Sequence, residues 1–127
     1  MPSLRLGELG QIALTVRSLS VAVPFYRDVL GLPHLFDAPP AMSFFACGGI
    51  RLMLGEPESG ASFTPHNSVL YFRVANIQEA HAALTGRGAK FEREPHLLAK
   101  LPDYDLWMAF LRDPDGNLLG LMSEVRR

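Results

Sequence analysis

The feature of this sequence that most restricts its fold is an order of segments that occurs twice. Gln11-Ile-Ala-Leu-Thr-Val16 alternates in the period of a half-buried strand. Ser18 follows as a helix N-cap type, and Leu19, Val23, Tyr26 and Leu30 then recur every three or four residues, as on one helix face. Gly31 stands where a helix end favours positive φ. From Gln11 to Val69 is a step of 58 positions, and there the order returns: Val69-Leu-Tyr-Phe-Arg-Val74 as a strand, Asn76 as a cap, Ile77 to Leu84 as a helix, Gly86 and Gly88 as its end. Pro24 is the weak point of the first helix. It is tolerated near the first turn or moves the start later.

Three extended pieces follow each helix: His34 to Asp37, Met42 to Cys47 and Ile50 to Leu54, then Lys90 to Glu94, Leu106 to Arg112 and Asn117 to Ser123. Cys47-Gly48-Gly49 and Asp113-Pro114-Asp115-Gly116 supply the Gly, Pro and Asp of tight antiparallel turns. Each half therefore reads β-α-β-β-β. The expected fold is a single α+β domain over residues 1–127, with module one at about 8–56, a linker at about 57–67 containing Pro65, and module two at about 68–124. A ferredoxin-like βαββαβ chain, whose two helices also give a rough repeat, is the competing topology.

Composition limits the partners. Of 127 residues 48% are hydrophobic, enough for one real core and too few for two full-sized domains. Twelve basic and 13 acidic side chains leave a formal charge of -1, so no overall field draws nucleic acid or an anionic membrane. Cys47 is the single cysteine, which fits a reducing compartment, and the expected location is cytoplasmic. Met1 to Gly10 lacks the apolar stretch of a signal peptide, and no run approaches the ~18 apolar residues of a membrane span.

Two motifs carry a family resemblance: Phe25-Tyr26-Arg-Asp-Val-Leu30-Gly31-Leu32 after the first strand, and Phe110-Leu-Arg-Asp113-Pro114-Asp115-Gly116-Asn117 near the end. Together, inside a matched repeat, they resemble the vicinal oxygen chelate superfamily of glyoxalases, bleomycin-resistance proteins and extradiol dioxygenases. The resemblance covers nearly all of residues 8–124. It implies two βαβββ modules whose curved mixed sheets surround a cleft, usually in a homodimer. It also implies metal ligands on the first and last strand of each module, which fall here on Gln11, Met53, Val69 and Gly120. Only Gln11 suits a hard or borderline metal; Met53 is soft, and Val69 and Gly120 have no donor side chain. A slip of one residue offers Ser68 or Leu70, and Leu119 or Leu121, and a slip of two brings Arg51 to the position of Met53. No metal or other cofactor is therefore expected.

Strand alternation proposes a different site. If Gln11 faces the cleft, so do Ala13 and Thr15, while Ile12, Leu14 and Val16 pack under the helices. The same parity selects Arg51 and Met53, then Val69, Tyr71 and Arg73, then Met108 and Phe110, then Leu118, Gly120 and Met122. That lining of apolar, Met-rich and aromatic wall with two guanidinium groups suits a small organic molecule with an anionic or carbonyl end. Alternatively the arginines pair with carboxylates such as Glu56 or Glu92 and the methionines fill volume. Gly120 either lets a ligand approach the sheet or relieves crowding in a curved strand.

Among His34, His66, His81 and His96 no spacing matches a ligand pair on one helix or strand. His81 is expected to face outward. His96 is the weak candidate for acid–base work, and His66 with His96 and Glu94 or Asp105 is the alternative metal set. Tyr104 and Trp107 read as a lid or dimer contact at the entrance to the seventh strand. The expected function is metal-free binding of a small apolar or aromatic, anion-bearing molecule; the alternative is a lyase, isomerase or dioxygenase-like enzyme with a non-standard metal site or none.

Overall fold

The computed structural model describes residues 4–58, 62–64 and 68–126. Among the described residues eight strands form two four-stranded mixed sheets. In module one β1 (Gln11–Thr15), β2 (His34–Ala38), β3 (Met42–Cys47) and β4 (Ile50–Gly55) lie in the order β1-β4-β3-β2. Module two repeats this with β5 (Leu70–Arg73), β6 (Phe91–Lys100), β7 (Tyr104–Arg112) and β8 (Leu118–Arg126) in the order β5-β8-β7-β6. In both, the first strand pairs parallel to the last and the rest are antiparallel. This is the doubled βαβββ arrangement and excludes the single ferredoxin-like sheet.

The helices depart from the expected spans for identifiable reasons. α1 (Leu19–Pro24) begins after Ser18, whose hydroxyl bonds Ser20 and makes no cap bond; the Leu19 N–H donates instead to Glu56 Oε2 at 2.8 Å. Pro24 has no N–H to donate, and the chain continues as a π turn over Phe25–Val29, with the Leu30 N–H reaching back to the Phe25 carbonyl at 2.9 Å. That turn carries Tyr26, which is wholly buried. α2 (Ile77–Gly86) is the simpler helix: Asn76 Oδ1 accepts from the Glu79 N–H at 3.0 Å, and Gly88 leaves it at φ +100°. His81, expected to face outward, is half-buried and packs edge-on against Phe91 with ring centroids 4.5 Å apart.

β6 and β7 run further than the extended pieces Lys90 to Glu94 and Leu106 to Arg112 read from the sequence, and their added ends pair as a hairpin, with Leu97 opposite Trp107 and Lys100 opposite Asp105. Pro95 is accommodated because β6 is the outer strand of its sheet and its pairing is broken between Arg93 and His96. Trp107 pairs with Leu97 and Ser123 inside the sheet and packs against the core, leaving no lid at that position.

One hydrophobic cluster joins the modules. Leu14, Val16, Tyr26, Phe45, Leu52 and Leu54 of the first meet Ile77, Leu84, Ala109, Leu111, Leu119 and Leu121 of the second. Burial of each large side chain among them contributes about 1.5–3 kcal/mol. Polar ties reinforce the seam: the Tyr26 hydroxyl donates to Asp113 Oδ2 at 2.7 Å, and Arg87 Nη1 donates to the Val29 carbonyl at 3.1 Å. Asp113, 5% exposed, also accepts from the N–H groups of Asp115 and Asn117 and from Asn117 Nδ2.

Burial, and then the neighbouring Asp113 carboxylate, hold the Tyr26 hydroxyl well above the usual phenol range. Tyr26→Phe should lower unfolding free energy at pH 7 by about 1.5–3 kcal/mol, the range for a hydrogen bond to a charged group. Because the folded state resists ionisation, this tyrosine's contribution is complete below about pH 10 and is lost above it, at up to about 1.4 kcal/mol per pH unit. Urea titrations from pH 7 to 11 should therefore show the wild-type advantage over Tyr26→Phe shrinking as pH rises.

Candidate functional site

Alternation along each strand divides the side chains into those that enter the shared core and those on the open face turned away from it. Leu14 and Val16, Leu52 and Leu54, and Leu119 and Leu121 are buried. On the other parity Gln11, Ala13 and Arg51 are exposed and Thr15 and Met53 half-buried. Register aligns Gln11 with Arg51 and Ala13 with Met53, and the Gln11 amide lies 3.9 Å from Met53 Sδ as a donor. Phe44 continues this face: it pairs with Met53, stacks on Phe36 at 4.6 Å, and lies 5.6 Å below the Arg51 guanidinium. Sequence reasoning missed both phenylalanines, although the alternation in Met42 to Cys47 would have placed Phe44.

Module two presents a different open face. Tyr71 pairs with Gly120 and Arg73 with Met122, and across β7 Phe110 faces Gly120 and Met108 faces Met122. Tyr71 and Arg73 are exposed, and Met108, Phe110 and Met122 are half-buried. Val69 precedes the start of β5 and lines an apolar hollow of about 250 Å³ with Tyr71 and Phe72 and with Ile12, Cys47 and Leu52 of module one. Burial raises the Cys47 thiol's pKa there. Arg73 Nη2 stands 4.0 Å from Glu124 Oε2. Glu124 lies one residue past the expected end of β8, so parity was not carried to it. The carboxylates first considered for the arginines serve elsewhere: Glu92 pairs with Arg112 at 3.1 Å, and Glu56 caps α1.

The space above Gly120 is filled from within the chain. A Cβ there would meet Tyr71 Cδ2 at 2.7 Å and Phe110 Cε1 at 3.3 Å, so the missing side chain admits the Tyr71 ring to the sheet. Tyr71 and Phe110 meet edge-on at 6.0 Å, and His96, paired with Met108, lies 6.3 Å from Phe110. The hydrogen bonds and ring contacts of Gln11, Arg51 and Met53 lie within module one and those of Tyr71, Arg73 and Phe110 within module two, while Val69 and Tyr71 meet Ile12 and Leu52 across the hollow between the modules.

A family model described as the glyoxalase/bleomycin resistance protein/dioxygenase superfamily matches residues 8–121. The chain belongs to that superfamily. It is 27% identical over 124 residues to the uncharacterized protein YraH of Bacillus subtilis, covering 88% of this chain and 94% of that protein. Among solved structures it is similar to lactoylglutathione lyase from Agrobacterium tumefaciens, with a TM-score of 0.76 at 23% identity over 94% of this chain and 95% of that one. A virulence protein from Salmonella typhimurium superposes with a TM-score of 0.77 at 23% identity over 96% and 100%. At these identities the likeness concerns the fold.

The side chains at the positions where the superfamily resemblance implies a metal do not fit one. Gln11 and Met53 offer an amide and a thioether in contact with each other, Val69 has no donor, and Gly120 lies under a phenol ring. Among the described residues no group of three or more His, Cys, Asp or Glu side chains is arranged to hold a metal ion. His66 of the alternative set lies outside the described residues, and His96 Nδ1 is engaged by the Glu94 backbone carbonyl.

Gly120→Ala should displace the Tyr71 ring and cost about 1–3 kcal/mol, as overpacking does. In a Tyr71→Ala background the same substitution should cost less than about 0.5 kcal/mol. A double-mutant cycle by chemical denaturation measures this coupling, and equal costs in both backgrounds would show that the ring does not depend on Gly120.

Proposed function

We propose that this protein binds a small apolar or aromatic molecule with an anionic or carbonyl end on the open faces of its sheets, without a metal at the superfamily's ligand positions. The observation that carries this reading is the Tyr71 ring lying over Gly120, which puts aromatic surface where a metal-dependent site needs a donor side chain. Around it Met108, Phe110 and Met122 supply deformable apolar contact, and Arg73 supplies a cation held by one 4.0 Å pairing. Gln11, Thr15, Arg51 and Met53 give the first module's face a matching mix of amide, hydroxyl, guanidinium and thioether. A homodimer that brings the two kinds of face together in a cleft is part of this reading. Its support is the apolar surface a single chain leaves out, including Leu4, Leu6, Tyr71, Leu98 and Val125.

The probe for this reading is 8-anilinonaphthalene-1-sulfonate, an aromatic with an anionic end, titrated at fixed ionic strength. Tyr71→Ala and Arg73→Ala should each weaken its binding by about 2–10-fold, the span of a lost ring contact or a partly screened charge. Protein freed of adventitious ions should hold no stoichiometric transition metal, and light scattering should give twice the chain mass. Probe affinity unchanged in both variants, or a stoichiometric metal lost in Gln11→Ala, would overturn the proposal.

A further inference from the structure

The open face of module two contains one polar atom whose bonding is incomplete. His96 Nε2 is the only buried side-chain nitrogen or oxygen without a hydrogen-bond partner among those the described residues place. The cause lies in the local sequence. Pro95 and Glu94 fall where β6 breaks register against β7, between Arg93 and His96, and the Glu94 carbonyl lies 2.9 Å from His96 Nδ1. A carbonyl can only accept, so Nδ1 carries the hydrogen of the neutral ring and Nε2 is left with its lone pair. His34, by contrast, has its Nε2 engaged by Asp37 and Ser43 at 2.8 and 3.1 Å.

A buried acceptor left unsatisfied costs about 1–3 kcal/mol, a cost that a ligand bringing a donor would recover. The neighbourhood restricts what such a ligand is. His96 pairs with Met108, and its ring is 6.3 Å from that of Phe110, which itself meets Tyr71. Tyr71, 47% exposed and edge-on to Phe110, gives this face an aromatic ring open to a molecule from outside.

Resting on the binding role proposed above, we infer that the open face of module two takes a flat aromatic molecule bearing an O–H or N–H group, and that His96 Nε2 accepts its hydrogen. His96 is then a specificity residue that distinguishes a phenol- or indole-type ring from the same ring without a donor. The apolar wall contributes attraction to both, and only the donor-bearing ring relieves the unpaired nitrogen.

Phenol and anisole share a ring and differ in the donor, which makes them the probes. Nitrogen-15 NMR of the free protein should find His96 in the Nδ1–H tautomer. Phenol should shift His96 Nε2 together with the amides of Tyr71 and Phe110, and should bind at least about fivefold more tightly than anisole, the ratio expected for one recovered hydrogen bond. In His96→Phe that ratio should fall to within about twofold. An Nε2–H tautomer, or equal perturbation of this face by both probes, overturns the role of His96 and leaves the binding face standing. Perturbation of this face by neither probe overturns both. The tautomer measurement requires no variant, so the inference remains testable if His96→Phe folds poorly.

Discussion

The carboxylate of Asp113 is the constraint on which the rest of the chain depends. It sits in the turn between β7 and β8, almost without exposure, and accepts from two backbone N–H groups, the Asn117 amide and the Tyr26 hydroxyl. A buried carboxylate is tolerated only when so well supplied with donors. Three of its partners shape the hairpin locally. The fourth comes from the first module, 87 positions away in sequence, and makes hairpin geometry and module docking parts of one interaction. The π turn after Pro24 belongs to the same arrangement, since Tyr26 lies within it.

Docking through that seam decides what is left for function. The core-facing parity of both sheets is consumed by one shared cluster, so the opposite parity becomes the open faces without any further requirement on sequence. Positions on those faces are released from packing and free to carry polar and cationic groups. Arg51 above Phe44 and Arg73 near Glu124 occupy them with weak, solvent-screened partners, which cost little to exchange for a ligand.

Much of this was legible in the sequence because it rests on short-range rules. The repeat, the alternation that separates Gln11 from Leu14, the Asn76 cap and the two glycine-containing turns each follow from a residue's own backbone preference or its immediate neighbours. What was not legible depends on position in the sheet or on distant partners. Pro95 reads as a strand breaker until β6 is known to be the outer strand. Glu56 reads as a partner for arginine until the fold brings it to the start of α1. The glycine at 120 was recognised as unusual, but the choice between space for a ligand and relief of crowding required the Tyr71 ring, which reaches it only once β5 pairs with β8.

The two modules share a topology and have diverged where topology imposes nothing. Register sets Gln11 beside Arg51 in the first and Tyr71 beside Gly120 in the second, so one pair is polar and open while the other is aromatic and closed over the strand. A metal site built on the repeat would need equivalent donors from both halves, since coordination draws on several ligands at similar distance. Ligand binding by contact has no such requirement. In the binding role proposed above, an apolar wall from one half and oriented polar groups from the other would be complementary, offering an organic molecule two different ends to recognise.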